Sequence, residues 1–129
     1  MSAETAWEAG RFGRVLVARI RPNEDMVGGV EAVCGEHGIR HALVRSGVGS
    51  LVDAALSYGT AQRRDVVGPG IEILSLQGEI RPDAAGRPRA QLTGTISDSE
   101  ARVYGGGFIA GANPICITLE LVLQEWIPD

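Results

Sequence analysis

From Ile115 to Gln124 the chain alternates: Ile115, Ile117, Leu119, Leu121 and Leu123 fall on one side, and Cys116, Thr118, Glu120, Val122 and Gln124 on the other. A period of two sends successive side chains to opposite faces of a strand. One face is wholly apolar and the other mixed, so this strand belongs to a sheet with a covered side. Glycine supports the same reading. The chain has 18 glycines, and they fall between short β-branched runs rather than in a repeat, the pattern of a sheet punctuated by turns.

The rest of the chain fits around that strand. Arg14 to Arg21 reads as a strand with Val15 and Val17 on one face and Leu16, Ala18 and Ile20 on the other, both partly buried. Pro22 and Asn23 break it. Asn23 is the expected cap of a helix whose first turn holds Glu24 and Asp25. Met26, Val27, Val30, Val33 and Cys34 form the helical stripe, Gly28 and Gly29 suggest close approach to a sheet, and Gly38 supplies the stop. Two runs follow, Ala42 to Ser46 and Leu51 to Tyr58, with Gly47 to Gly49 as a kink or bulge. Gly59 to Gly70 reads as a loop with no element of its own. Ile71 to Arg81 is a long strand, residues 82–88 are turn chemistry, and Arg89 to Ser97 is the hairpin partner. Asp98 to Glu100 makes a further turn before Val103 and Tyr104. These elements predict an α+β fold: a single domain with a mainly antiparallel sheet of five to eight strands and one principal helix. Residues 1–12 read as an N-terminal extension and 13–127 as the domain. At 129 residues, folding buries close to ~70% of the extended chain's surface, enough without a disulfide or a metal.

Charge narrows the function. Twelve basic residues, all arginine, stand against 16 acidic ones, a net charge of −4 that offers phosphate backbones no general attraction. Cys34 and Cys116 match no CxxC, zinc or haem spacing, which favours reduced thiols in a cytosol. The first ten residues carry Glu4 and Glu8 and lack a basic-then-apolar signal, and no apolar stretch approaches the ~18 residues of a membrane span. A cytoplasmic protein with no membrane contact is expected.

Several motifs have plainer readings. Gly105-Gly106-Gly107-Phe108-Ile109-Ala110 satisfies G-x-G-x-x-A, but a dinucleotide site needs a following βαβ unit and the chain is almost over, so a glycine-rich bend with close backbones is preferred. His37 and His41 are four apart, yet Gly38 ends the helix between them, and surface histidines explain them better than metal ligands. No G-x-S-x-G elbow occurs, and both cysteines read as small core residues. Gly86-Arg87-Pro88-Arg89 resembles an AT-hook core, though its place between two strands favours a hairpin turn. Glu72, placed on a face with Leu74 and Leu76, and Glu120, between Thr118 and Val122, are mid-strand carboxylates among apolar neighbours. Each wants an arginine partner or marks a pocket.

Taken in order, Gly38-Ile39, Ala42 to Leu51, Asp53-Ala54, Ile71 to Gly78, Ser97-Asp98, Val103 to Gly107 and Thr118 to Glu120 resemble the plants and prokaryotes conserved (PPC) domain family of the stand-alone prokaryotic type. The Glu-x-x-Ser-Leu-x-Gly block at Glu72 to Gly78 is the most specific part. The resemblance implies an antiparallel α+β fold assembled as a homotrimer. Plant members pair the domain with separate AT-hooks and regulate transcription, and prokaryotic members are often labelled DNA-binding by similarity. Many prokaryotic relatives carry a His-x-His pair and a third histidine able to hold a metal; the corresponding positions here are Gln91, Thr93 and Gly107. No metal or cofactor is therefore expected.

The reading that follows is a non-enzymatic trimer binding a small ligand or a protein in clefts between subunits. Glu72, Gln91, Thr93, Gly107 and Glu120 line the expected pocket, with Arg45 as counter-charge. A DNA-associated regulator using Arg63, Arg64, Arg87 and Arg89 is the alternative, and an enzyme with Glu72 or Glu120 as general base the third.

Overall fold

In the computed structural model, which describes residues 4–129, one eight-stranded sheet curls around one helix. In chain order the elements are β1 (Gly10–Ile20), α1 (Met26–Glu36), β2 (Ala42–Leu51), β3 (Ala54–Tyr58), β4 (Gln62–Val66), β5 (Ile71–Pro82), β6 (Pro88–Ser97), β7 (Val103–Phe108) and β8 (Ile115–Pro128). The sheet runs β1-β8-β2-β5-β6-β7-β3-β4, and every neighbouring pair is antiparallel.

The alternating C-terminal run is β8, held between β1 and β2: Leu121 faces Ala18 on one side and Gly47 on the other. Leu119, Leu121 and Leu123 point into the core as their alternation requires. Ile117 departs from it and is 72% exposed. Between the pairs Gly49–Leu119 and Leu51–Ile115, three residues of β8 oppose the single Ser50, and this bulge turns Ile117 outward. At the other end of the strand Gly10 faces Pro128, and the Asp129 amide donates to the Ala9 carbonyl at 3.0 Å.

All eight strands contribute to one buried cluster, from Ile20 in β1 to Val66 in β4. Laid flat, seven strand spacings would span about 34 Å, whereas an 11-residue helix is about 16 Å long. The core closes because the sheet curves, so that α1 touches both β1 and β6 across the strands between them. The convex face carries no helix. On it Val15, Val17, Val48 and Leu74 stand 53–79% exposed. The sequence expectation that both faces of the first strand are partly buried therefore holds for one face only within a single chain.

The helix is capped by Asp25, not Asn23. The Asn23 amide donates to the Ile115 carbonyl at 2.7 Å with a left-handed φ of 68°, which commits it to the turn against β8. The Asp25 carboxylate then accepts from the Gly28 amide at 3.0 Å, and also from the amides of Gly111 and Asn113 across the loop before β8. Close helix–sheet contact belongs to Gly29 alone, where a Cβ would come 2.6 Å from Ile20 Cγ2. Gly38, at φ 64°, closes the helix as expected.

Four further expectations change. Residues 59–70 contain β4, an edge strand with only Val66 buried, whose polar sequence pairs through its backbone with β3. β2 runs unbroken through Gly47 to Gly49; its irregularities lie at Arg45 and Ser50. The triple glycine is not a bend but part of β7, in which a side chain at Gly106 would collide with the Ser57 carbonyl of β3. Leu74 sits in a bulge of β5 that reverses the alternation, so Leu76 turns into the core and leaves the face of Glu72.

The β6–β7 turn is built on Asp98, which accepts hydrogen bonds from the amides of Glu100 and Arg102, from Arg102 Nε at 2.7 Å and from the Tyr104 hydroxyl. Burial pushes its carboxyl pKa up, but the Arg102 and Glu100 hydrogen bonds outweigh that and hold it near 2, below the ordinary 3.8. A depressed folded-state pKa stabilises the fold above the unfolded value, and that stability disappears as pH falls through the folded one. Between pH 4 and pH 2 the wild type is therefore expected to lose more stability than Asp98→Asn, measured by urea unfolding at each pH. Parallel losses would show that Asp98 does not carry the acid sensitivity.

Candidate functional site

Register across the convex face brings some of the expected residues into one row. Thr93 of β6 faces Gln77 of β5 on one side and Gly107 of β7 on the other, and Gly107 faces Ser57 of β3. Gln77 Nε2 donates to Thr93 Oγ1 at 2.9 Å, which holds both groups on the surface. One step beyond the pair Val44–Gly78 are Arg45 and Gln77, so the row reads Arg45, Gln77, Thr93, Gly107, Ser57. Gly107 leaves its end of the row without a side chain, over the Ser57 hydroxyl. Arg45 is exposed and has no ion pair among the described residues. Gln77 and Ser57 were missed from the sequence, because membership in the row depends on register that local pattern does not reveal.

Gln91 lies two residues along β6 and lines a shallow cleft of about 190 Å³ with Glu79, Arg81, Pro82, Asp83 and Arg89. Glu72 and Glu120 do not join the row. Five residue steps along β5, about 17 Å, separate Glu72 from Gln77. Glu120 pairs instead with Arg19 across the β1–β8 register at 3.5 Å. Both carboxylates are exposed rather than set in an apolar pocket.

The arginines considered for nucleic acid are largely engaged. Arg63 pairs with Asp65 at 3.0 Å, and Arg64 lies over the Tyr104 ring at 5.7 Å. Arg87 and Arg89 both reach Asp83, at 3.7 and 3.1 Å, and Arg89 also reaches Glu31. Asp83 accepts from the amides of Ala85 and Arg87 as well, and the Arg87 amide in particular keeps its carboxyl below the ordinary range despite partial burial. The Gly86-Arg87-Pro88-Arg89 segment is thus a hairpin turn closed on its own aspartate.

A metal fits poorly. Gln91, Thr93 and Gly107 supply an amide, a hydroxyl and no side-chain donor in place of three imidazoles. His37 caps α1 with its Nδ1 2.9 Å from the Val33 carbonyl, and among the described residues no three of His, Cys, Asp and Glu come together. Cys34 is fully buried, and burial, reinforced by the charge of Glu31, pushes its thiol up to about 11, which removes it as a nucleophile. Cys116 is half-buried. No helix among the described residues is long and apolar enough to cross a membrane.

A larger cleft of about 250 Å³ opens on the same face, beside the start of β1 and the end of β8. It is lined by Glu8, Phe12, His41, Ala42, Leu43, Glu79, Ile80, Arg81 and Trp126. None of these was singled out from the sequence as part of a pocket, since Phe12 and Trp126 meet only through the pairing of β1 with β8.

This architecture, one curled antiparallel sheet with a single helix, is that of a known domain class. The profile of the Plants and Prokaryotes Conserved (PCC) domain matches residues 8–127, and the chain belongs to that family. A plant- and prokaryote-conserved protein of Pyrococcus horikoshii superposes with a TM-score of 0.85 at 21% identity, over 97% of this chain and 87% of that one. A metal-containing protein of Archaeoglobus fulgidus gives 0.83 at 20% identity, over 97% and 88%. A protein of Bacteroides thetaiotaomicron with a provisional DNA-binding label gives 0.75 at 16%, over 93% and 96%. At these identities the likeness speaks for the fold. Two Synechococcus proteins named bifunctional protein GlmU are 29% and 27% identical over 112 residues; the chain spans 87% of its own length but only 17% of theirs.

Proposed function

We propose that this PCC domain is a self-assembling, non-enzymatic binding module. Three copies cover one another's convex sheet faces, and a small neutral or anionic ligand is held in the crevice where the copies meet. The observation that carries this reading is the uncovered apolar surface of β1, β8, β2 and β5. Val17 faces Val122 across β1 and β8, and the register of β2 with β5 sets Val48 opposite Leu74. Contiguous apolar surface of this kind on a soluble domain marks a contact site, and a sheet with two apolar faces needs a second cover. Three is the number that the family resemblance implies. The ligand class follows from the row: a guanidinium at Arg45, the amide of Gln77 and the hydroxyls of Thr93 and Ser57, the last lying over Gly107.

A DNA-associated role draws its support from the provisional labels of two structural relatives. Against it stand the acidic net charge and the pairing of Arg63, Arg87 and Arg89 with carboxylates of the same chain.

Light scattering on a sizing column at micromolar concentration is expected to give three times the chain mass of 13.6 kDa. Val17→Asp and Leu74→Asp place charge on the contact surface and are expected to yield folded monomers. A wild-type chain that runs as a monomer at tens of micromolar overturns the proposal.

A further inference from the structure

The cleft beside Trp126 has a chemistry that the Arg45–Thr93 row lacks. Its apolar base is Leu43, flanked by Ala42 and Ile80 whose own side chains turn into the core, and its wall is an aromatic pair, Phe12 and Trp126, whose rings meet edge to face at 5.6 Å and 71°. The indole is fixed on three sides. Its backbone amide donates to the His41 carbonyl at 2.9 Å, its Nε1 donates to Glu8 Oε1 at 2.7 Å, and Gly10 leaves the space its ring edge fills, since a Cβ there would come 2.7 Å from Trp126 Cζ2. Such a wall is set before any ligand arrives.

Charge selects the ligand. Glu79 and Arg81 neutralise each other across 3.3 Å at the rim. Glu8 spends one oxygen on the indole and has no cationic partner among the described residues, which leaves the cleft with one net negative charge when histidine is counted neutral. A carboxylate beside aromatic rings over an apolar base is suited to an organic cation. The rings attract the cation through their quadrupoles and the carboxylate through a charge-assisted contact. The volume of about 250 Å³ lies below the ~300–1,000 Å³ of drug-sized sites, so the ligand is small. We infer that this cleft binds a small organic monocation, a primary or quaternary ammonium carried on a short apolar body, with Glu8 as its counter-ion and Trp126 and Phe12 as its wall. This inference uses none of the residues assigned to the polar row.

The test follows the two indole N–H signals of the nitrogen-15-labelled full chain by nuclear magnetic resonance, with Trp7→Phe assigning them. Trp7 is 85% exposed and does not line the cleft, so it is an internal control. Titration with 2-phenylethylammonium or tetramethylammonium is expected to move the Trp126 signal saturably and leave Trp7 in place, while 3-phenylpropionate, the anionic analogue, moves neither. Glu8→Gln keeps the hydrogen bond to the indole but removes the charge, and is expected to weaken binding about tenfold. Phe12→Leu keeps the apolar base and is expected to weaken tetramethylammonium binding at an unchanged melting temperature. The inference is overturned if the Trp126 signal stays put at millimolar cation, if the anion binds as well as the cation, or if Glu8→Gln binds like the wild type. Because oligomeric state is read separately, failure here leaves the assembly proposal standing, and failure of the assembly leaves this one.

Discussion

Asn113→Ala is expected to lower the unfolding free energy by roughly 2–4 kcal/mol, among the larger effects a single truncation produces here. Asn113 is fully buried in the loop before β8. Its Oδ1 accepts from the Ala55 amide at 2.9 Å, and its Nδ2 donates to the carbonyls of Ala55 and Ile109 at 3.1 and 2.9 Å. The side chain thus acts as the strand neighbour that β3 lacks beyond the end of β7. After truncation the carbonyls fall back on the amides of Ile109 and Ala112, but the Ala55 amide is left buried with no acceptor. Because the Asn113 backbone amide also meets the helix-capping Asp25, the loss should loosen the start of α1 too. Urea unfolding measures it: the midpoint should fall with little change in slope. A loss below about 1 kcal/mol would mean that water replaces the amide at small cost.

Gly94→Ala is expected to cost roughly 3 kcal/mol through overpacking against a backbone that cannot yield. Gly94 is buried in β6 opposite Leu76, and a Cβ there would collide with the Ser75 carbonyl oxygen and come 3.1 Å from Phe108 Cε2. The bulge at Leu74 brings that carbonyl so near, so relief requires β5 and β6 to separate where they hold Thr93 and Thr95. The variant should therefore also disturb the Gln77–Thr93 contact, visible in the side-chain amide signals of Gln77. Gly28→Ala serves as the contrast. Gly28 is exposed in α1 with nothing closer than 3.6 Å to a new Cβ, and alanine there should stabilise by about 0.5–1 kcal/mol. If Gly94→Ala melts with the wild type, the close approach of the two strands is not a constraint.

What the sequence disclosed follows from the range over which each signal acts. The alternation over 115–124 apart from Ile117, the hydrophobic stripe of α1, the stop at Gly38 and the turn at residues 82–88 are local, and all four stand in the structure. Edge strand β4 was invisible because four of its five residues are exposed and polar, so no burial pattern marked it. The cap moved from Asn23 to Asp25 because a backbone partner at Ile115, 92 positions away, claimed the earlier residue. The bulge at Leu74 shifts the face of every residue beyond it, the one opposite Ser50 turns Ile117 alone outward, and no single-strand pattern announces a bulge. The same reasoning separates the sites. Thr93 and Gly107 were identified through the family resemblance, whereas Glu8, Phe12 and Trp126 are brought together by pairing between the two ends of the chain.

Pairing Gly10 with Pro128, and Asp129 with Ala9, makes the entrance and the exit of the polypeptide adjoin at a single corner of the sheet. A unit threaded this way can be inserted into a surface loop of a host without prying its flanks apart, and it can be recut at an exposed turn with the old ends joined by a short tether.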